Sequence, residues 1–312
     1  MDLTVSGALQ AVRLDLDGPE TPPYEFAIIA MGRWGGNEIG YFSDADVTFV
    51  FRSVGEELGA EDKAKLSKHV NKVALGLGSR LKASDAAQGV DLDADLRPEG
   101  KNGPLVRALS SYRAYSAKGS QPWEAQALLR ARPGAGDSGL IEDFTELIDP
   151  LRYPVEMPTK SLTQVRTLKA RMEDERLPRN ADKRRHLKLG RGSLSDVEWT
   201  VQLLQLQHAH RIPGLRTTST LTALSVAAEE GLIPTDDAEE LAAAWQLATN
   251  VRSAVMLYRG RTAQSLPEEH FELEATARLL GYPAGGGHEL EDDYLRTTRH
   301  ARNIMEEHFY GF

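Results

Sequence analysis

The apolar pattern of this chain changes period once, and that change limits the fold more than any other feature. Up to about residue 97 the pattern carries strand signals. Beyond Pro98 these nearly vanish and helical periods take over. Residues 24–31 (YEFAIIAM) form an apolar run bounded by Pro23 and Gly32, as a buried strand does. Residues 45–52 (ADVTFVFR) read as a second strand, and the short connection predicts a hairpin-like pairing with the first. An amphipathic stretch from Glu61 to Ala87 predicts a helix. A third strand is expected over 90–97, where Val90, Leu92, Ala94 and Leu96 alternate with Asp91, Asp93 and Asp95. That alternation puts the three aspartates on one strand face. Helical patterns then follow at 104–117, 122–131, 138–149, 160–176, 193–210, 218–230, 235–260, 268–280 and 287–309, with prolines at or near the breaks. The expected fold is α+β: a core with a small mixed sheet over 1–153, then an all-helical domain over 154–312.

Composition narrows the function classes. There is no cysteine, which excludes disulfides and thiolate metal sites and suits a reducing cytoplasm. No apolar run approaches the length of a membrane span, and the first residues lack the basic start and apolar core of a signal peptide. The net charge of −9 does not attract nucleic acid in bulk. One stretch, 160–191, is strongly basic, which predicts a local anion site or a solvated helix pair. Lys188 and Arg191 are candidates to meet an anion there.

The informative segment is Gly32-Arg33-Trp34-Gly35-Gly36-Asn37-Glu38-Ile39-Gly40-Tyr41-Phe42-Ser43-Asp44-Ala45-Asp46. Backbone N–H groups at Gly35 and Gly36 can approach phosphates, because no side chain intervenes. Asp44 and Asp46 are two apart, so in a strand both point to one face. Adjacent carboxylates repel unless a hard cation joins them. Asp93, on another strand's polar face, can supply a third oxygen. Such a set suits phosphoryl or nucleotidyl transfer with Mg²⁺. Taken singly, each part has a plainer reading as a turn or a solvated strand face. No Gly-Lys-Ser/Thr follows the glycines and the Gly-x-Gly-x-x-Gly spacing fails, so two other phosphate-binding loops are excluded.

The order Gly-Gly…Ser-Asp-x-Asp…Asp resembles the nucleotidyltransferase superfamily. The longer strings are narrower. Gly32 to Asp46, Asp93-Ala94-Asp95-Leu96-Arg97-Pro98-Glu99-Gly100-Lys101-Asn102-Gly103-Pro104-Leu105-Val106, Trp123 to Arg132 and Lys188 to Trp199 resemble the glutamine synthetase adenylyltransferase family. The likeness runs from about residue 10 to the C-terminus. Trp123-Glu124-Ala125-Gln126-Ala127-Leu128 is closer to the C-terminal, adenylylating half. Asp95 stands where the family often has arginine, and Ser193 where it usually has glycine.

The resemblance implies a cytoplasmic enzyme moving AMP from MgATP to a tyrosine hydroxyl of glutamine synthetase, with pyrophosphate released, in control of nitrogen assimilation. Phosphorolytic removal of AMP, or a silent module sensing nucleotide or a PII signal protein, are the alternatives. It implies that Asp44, Asp46 and Asp93 hold Mg²⁺, that Asp93 is also the base towards the tyrosine, and that Gly35, Gly36 and Ser43 meet the triphosphate. Arg97 and Lys101 can neutralise the leaving pyrophosphate. Trp123 and Trp199 can stack on adenine or fill the core. Glu124 and Arg130 share a predicted helix, where an ion pair is the plain reading. The histidines show no metal-binding spacing, so zinc is not expected.

Overall fold

The computed structural model describes residues 1–55, 58–82, 89–119, 121–177 and 182–311. The end of the expected 61–87 helix, the break at Pro178 and the charge at Arg179 lie outside them. The chain divides into two compact units. One comprises Met1–Ile39 with Ser43–Pro154, and the other Val155–Phe312 with Gly40–Phe42.

In the first unit the order is α1 (Asp2–Asp17), β1 (Tyr24–Ala30), α2 (Gly32–Gly35), β2 (Ala45–Ser53), α3 (Ala60–Leu81), β3 (Leu92–Asp93), β4 (Val106–Ala108), α4 (Leu109–Ser116), α5 (Pro122–Leu128), β5 (Arg132–Gly136) and α6 (Ser138–Arg152). As expected, β1 and β2 pair antiparallel, from Tyr24 opposite Ser53 to Ala30 opposite Val47. β5 joins the other edge of β1. β3 and β4 both run parallel to β2 along its outer edge.

Residue parity explains the uninterrupted apolar run of β1. Phe26, Ile28 and Ala30 face a core built with Val5, Leu9 and Val12 of α1 and Val70, Val73 and Leu77 of α3. Ala27 and Ile29, with Met31 just beyond, face the opposite core, with Tyr112 of α4, Leu128 of α5 and Leu140, Phe144 and Ile148 of α6. A strand covered on both faces has no polar face to show. The same parity puts Val47, Phe49 and Phe51 of β2 on the α1/α3 side, with Val50 on the other.

Three expectations need correction. The strand expected over 90–97 is only Leu92–Asp93, because the chain turns at Asp95. Residues 104–117 are not all helix, since Val106–Ala108 add to the β2 edge before α4 begins. Strand signals do not end at Pro98 either, since β5 follows.

The second unit comprises α7 (Thr159–Glu175), α8 (Leu194–His208), α9 (Thr220–Glu229), α10 (Thr235–Arg259), α11 (His270–Leu279) and α12 (Gly287–Met305), which runs into a π turn over Glu306–Tyr310. α8 is buried along most of its length, and α10 buries one flank from Ala238 to Met256. The whole is α+β, and among the described residues no helix is long and apolar enough to cross a membrane.

Candidate active site

The turn between β1 and β2 is fixed from both sides. The Met31 N–H donates to the Asp46 carbonyl at 2.8 Å, joining the end of one strand to the start of the other. Gly32 follows with φ of 50°. A Cβ on Gly32 would fall 2.0 Å from Asp46 Oδ2, so only glycine lets that carboxylate lie over its Cα. Trp34, 1% exposed, anchors α2 by donating from Nε1 to Asp2 Oδ1 at 2.7 Å. Arg132 donates to the same carboxylate at 2.7 Å. That bond, before all else, holds the Asp2 carboxyl below its ordinary range. The helix α1, which sequence reasoning missed, therefore supports the turn.

The geometry corrects the reason given for Gly35 and Gly36. Their N–H groups donate inside the turn, to Met31 O at 2.7 Å and Gly32 O at 3.2 Å. A Cβ on Gly35 would stand 1.7 Å from the Arg130 carbonyl, so close backbone packing explains this glycine. Arg130 in turn pairs with Glu38 at 2.7 Å, both side chains being buried.

The carboxylates lie along one edge. Asp44 is exposed and just precedes β2, and Asp46 is half-buried on it. Asp93 on β3 stands in register with Asp46, with Ala45 opposite Leu92. Side chains paired in register on parallel strands share a sheet face. The Ala45 N–H donates to the Asp91 carbonyl at 2.8 Å, extending the pairing by one bond. Three hard oxygen donors have the right chemistry for Mg²⁺. Yet among the described residues no three His, Cys, Asp or Glu side chains converge closely enough to hold an ion. The backbone thus brings Asp46 and Asp93 together, while the expected triad with Asp44 is not closed.

The expected face of three aspartates is also corrected. Asp93 Oδ1 accepts the Asp95 N–H at 2.8 Å, which starts a turn and ends the strand. Asp95 instead pairs with Lys101 at 3.0 Å and lies 3.8 Å from Arg97.

The loop from Asp93 to Val106 is tied to itself. Arg97 donates to the carbonyls of Ala94 at 2.7 Å, Gly103 at 3.1 Å and Lys101 at 3.2 Å. Lys101 is exposed. Glu124, 5% exposed, holds the loop to α5 by accepting the Glu99 N–H at 3.1 Å and the Tyr115 hydroxyl at 2.7 Å. Its other oxygen accepts the Gln121 N–H at 2.8 Å, one half of a capping box. The expected Glu124–Arg130 pair is thus replaced by separate partners. Burial, then the bond to Glu124, pushes the Tyr115 phenol up to about 12. Sequence reasoning missed the role of Glu124, though the Gln121-x-x-Glu124 spacing signals it. Among the described residues, the non-glycine positions with positive φ are Asn37, Phe42 and Glu99. All lie in the Gly32–Asp46 segment or this loop, where strain concentrates at functional sites.

The Lys188–Trp199 string has a different character. Asp196, 1% exposed, accepts from buried Lys169 at 2.5 Å, from Arg302 at 3.0 Å and from the Gly192 N–H at 2.7 Å. Ser193 is fully buried; its hydroxyl donates to Leu187 O at 2.5 Å and accepts from Tyr294 at 3.2 Å. Lys188 and Arg191 are exposed and join no ion pair among the described residues. Much of the basic stretch serves internally. Besides Lys169, Arg166 donates to Phe309 O, and Arg185 pairs with Glu291. Trp199 meets Phe309 edge-on at 6.4 Å, and Trp123 is half-buried on α5.

Residues 2–147 match the family model described as glutamate-ammonia ligase adenylyltransferase. The chain is 51% identical over 309 residues to a bifunctional glutamine synthetase adenylyltransferase/adenylyl-removing enzyme of Leifsonia xyli subsp. xyli, covering 98% of this chain. Over nearly its whole length the chain is thus homologous to one portion of glutamine synthetase adenylyltransferase/adenylyl-removing enzymes. A Streptomyces avermitilis member with the same name is 51% identical over 99% of this chain, and one from Mycobacterium leprae is 45% identical over 98%. The chain spans about 30% of the length of each of these family members. Residues 166–309 also match the model described as GlnD PII-uridylyltransferase.

Proposed function

We propose that this chain is an adenylyltransferase unit that moves AMP from ATP to a tyrosine hydroxyl of glutamine synthetase, in control of nitrogen assimilation. The observation that carries the reading is the register of Asp46 with Asp93 beside the Gly32 turn, in a chain 51% identical to family members. Residues 1–153 are the nucleotidyltransferase catalytic domain, and 154–312 form a helical C-terminal domain that docks the protein substrate or a PII signal protein. The working compartment is the cytoplasm.

In the reaction the tyrosine Oη forms a bond to the α-phosphorus of ATP, and the bond from that phosphorus to the β-phosphate oxygen breaks. Pyrophosphate leaves. The phenolic proton, with an ordinary pKa of about 10, needs an acceptor at neutral pH. Asp93 takes it. Asp46 and Asp93, with Asp44 beside them, would hold Mg²⁺, which would supply charge neutralisation on the triphosphate. Ser43 meets the triphosphate at the entry to β2, and Gly35 and Gly36 shape the turn below it. Lys101 lies at the exposed tip of the Asp93–Val106 loop, where a leaving anion can reach it. Arg97 supports that loop from within.

Incubation with ATP labelled at the α-phosphate and unmodified glutamine synthetase tests the reading. Label on a glutamine synthetase tyrosine is the expected result. Release of label from premodified protein on adding phosphate, with no forward transfer, would replace it with the adenylyl-removing reaction. Neither outcome, with ATP still bound, would make the chain a sensing module.

A further inference from the structure

We propose that a second anion site, for a compact phosphate dianion, lies at the far end of β2 from Asp46. A cavity of about 590 Å³ opens there between α3, β4 and the start of α4. Its lining includes Arg52, Lys63, Arg107 and Arg113 with the hydroxyls of Ser110 and Ser111, and no carboxylate among the described residues. In a chain of net charge −9, such a cluster departs from the overall balance.

The cations differ in how far they are already used. Arg52 is neutralised by Glu25 and Asp143. Arg107, 7% exposed, pairs through Nη2 with Glu99 and lies 5.0 Å from the centre of the Tyr115 ring. Its buried Nε–H finds no acceptor among the described residues. A buried donor without an acceptor is costly, and a bound anion would relieve that cost. The Arg113 guanidinium is exposed and joins no ion pair among the described residues.

The start of α4 points to the same ligand. Ala108 at its N-cap offers no side-chain acceptor, so the first turn is uncapped. Helix N–H groups, serine hydroxyls and guanidinium groups together are donors suited to tetrahedral phosphoryl oxygens. The volume admits a small molecule, and the chain's net charge of −9 disfavours a polyanion. The β2 residues that line the cavity, Phe51 to Ser53, stand five to seven residues beyond Asp46, roughly 17–23 Å along the strand at ~3.3 Å per residue. The site is therefore separate from the aspartates.

Titration of the whole chain with inorganic phosphate, without divalent metal, tests this by the backbone amide resonances of Ser110 and Ser111. Phenyl phosphate in a parallel arm serves as a phosphomonoester, with acetate as the control anion. Saturable shifts at both residues are expected, weakened by about tenfold or more in Arg113→Glu and in Lys63→Glu. Asp46→Asn should leave them unchanged. Tighter binding of phenyl phosphate would identify a phosphomonoester as the source, and equal binding the free ion. Arg113 is exposed, so its replacement leaves the fold intact, and matched thermal unfolding checks this. Equal affinity in wild type and Arg113→Glu, or shifts that acetate reproduces, would overturn the proposal.

Discussion

Asp46 and Asp196 each sit in a conspicuous string of glycine, serine and aspartate, and their surroundings differ. Asp196 is enclosed and matched by Lys169, Arg302 and a backbone N–H. Near Asp46, Asp44 stands exposed, and neither Asp44 nor Asp93 joins an ion pair among the described residues. Burying a carboxylate with cations consumes its charge in the fold. Leaving carboxylates at an edge keeps their charge available for a ligand. The lesson is that a motif's prominence does not separate chemistry from architecture, whereas the balance of its charge does.

The largest effect expected concerns catalysis in the first unit. Asp44→Asn and Asp46→Asn should each lower AMP transfer by about a thousandfold or more, with unchanged thermal unfolding. Near-normal turnover in either variant, with Mg²⁺ as the metal, would remove the contrast. Asp93→Asn sharpens it, since loss of a general base should lower the turnover number by about a hundred- to ten-thousandfold while ATP still binds. Asp95→Asn is the control, because Asp95 lies in the turn and pairs with Lys101. If Asp95→Asn is the inactive variant and Asp93→Asn the active one, the base is misplaced.

In the second unit the expected effect is on stability. Asp196→Asn leaves Lys169 buried with less negative charge, and breaking a buried pair costs about 3–5 kcal/mol. Urea unfolding of the chain should show that loss, and an unchanged midpoint would mean the network is not structural. The smallest effect is a pH slope from His186, which is 4% exposed and accepts the Lys188 and Leu189 N–H groups at Nδ1. Burial, then Lys188 and Arg252, holds its folded pKa below the ordinary 6.5. Below pH 6.5 the unfolded chain gains a proton that the folded one resists, so stability is complete above that pH and falls as the pH drops towards the folded value. His186→Gln should flatten the decline that sets in below pH 6.5. An identical slope in the variant would place its origin elsewhere.

Much of this was legible in the sequence because the signals were long. β1 and β2 were visible as apolar runs, and the helices of the second unit appeared within a few residues of their ends. What failed was short or borrowed. β5, Arg132-Pro133-Gly134-Ala135-Gly136, has no strand propensity of its own and exists by pairing with β1. β4 has three residues and merges with the helical period of α4. The Val5, Leu9, Val12 spacing of α1 follows a helical period and is legible in the sequence. At the site, residue identity pointed to the carboxylate edge. It did not reveal that the Gly35 and Gly36 N–H groups close their own turn, nor that Arg97 clasps a loop, since both depend on where backbone carbonyls fall.

The interrupted strand on the edge of β2 has an evolutionary consequence. Asp93 is placed by the pairing of β3 with Ala45 and Asp46, and the chain rejoins the sheet independently at Val106 opposite Phe49. Everything between these two anchor points is an excursion from the sheet. Changes of length or composition there need not alter the spacing of Asp46 and Asp93. The length of that excursion can thus change over evolution while the arrangement of the paired strands is inherited intact.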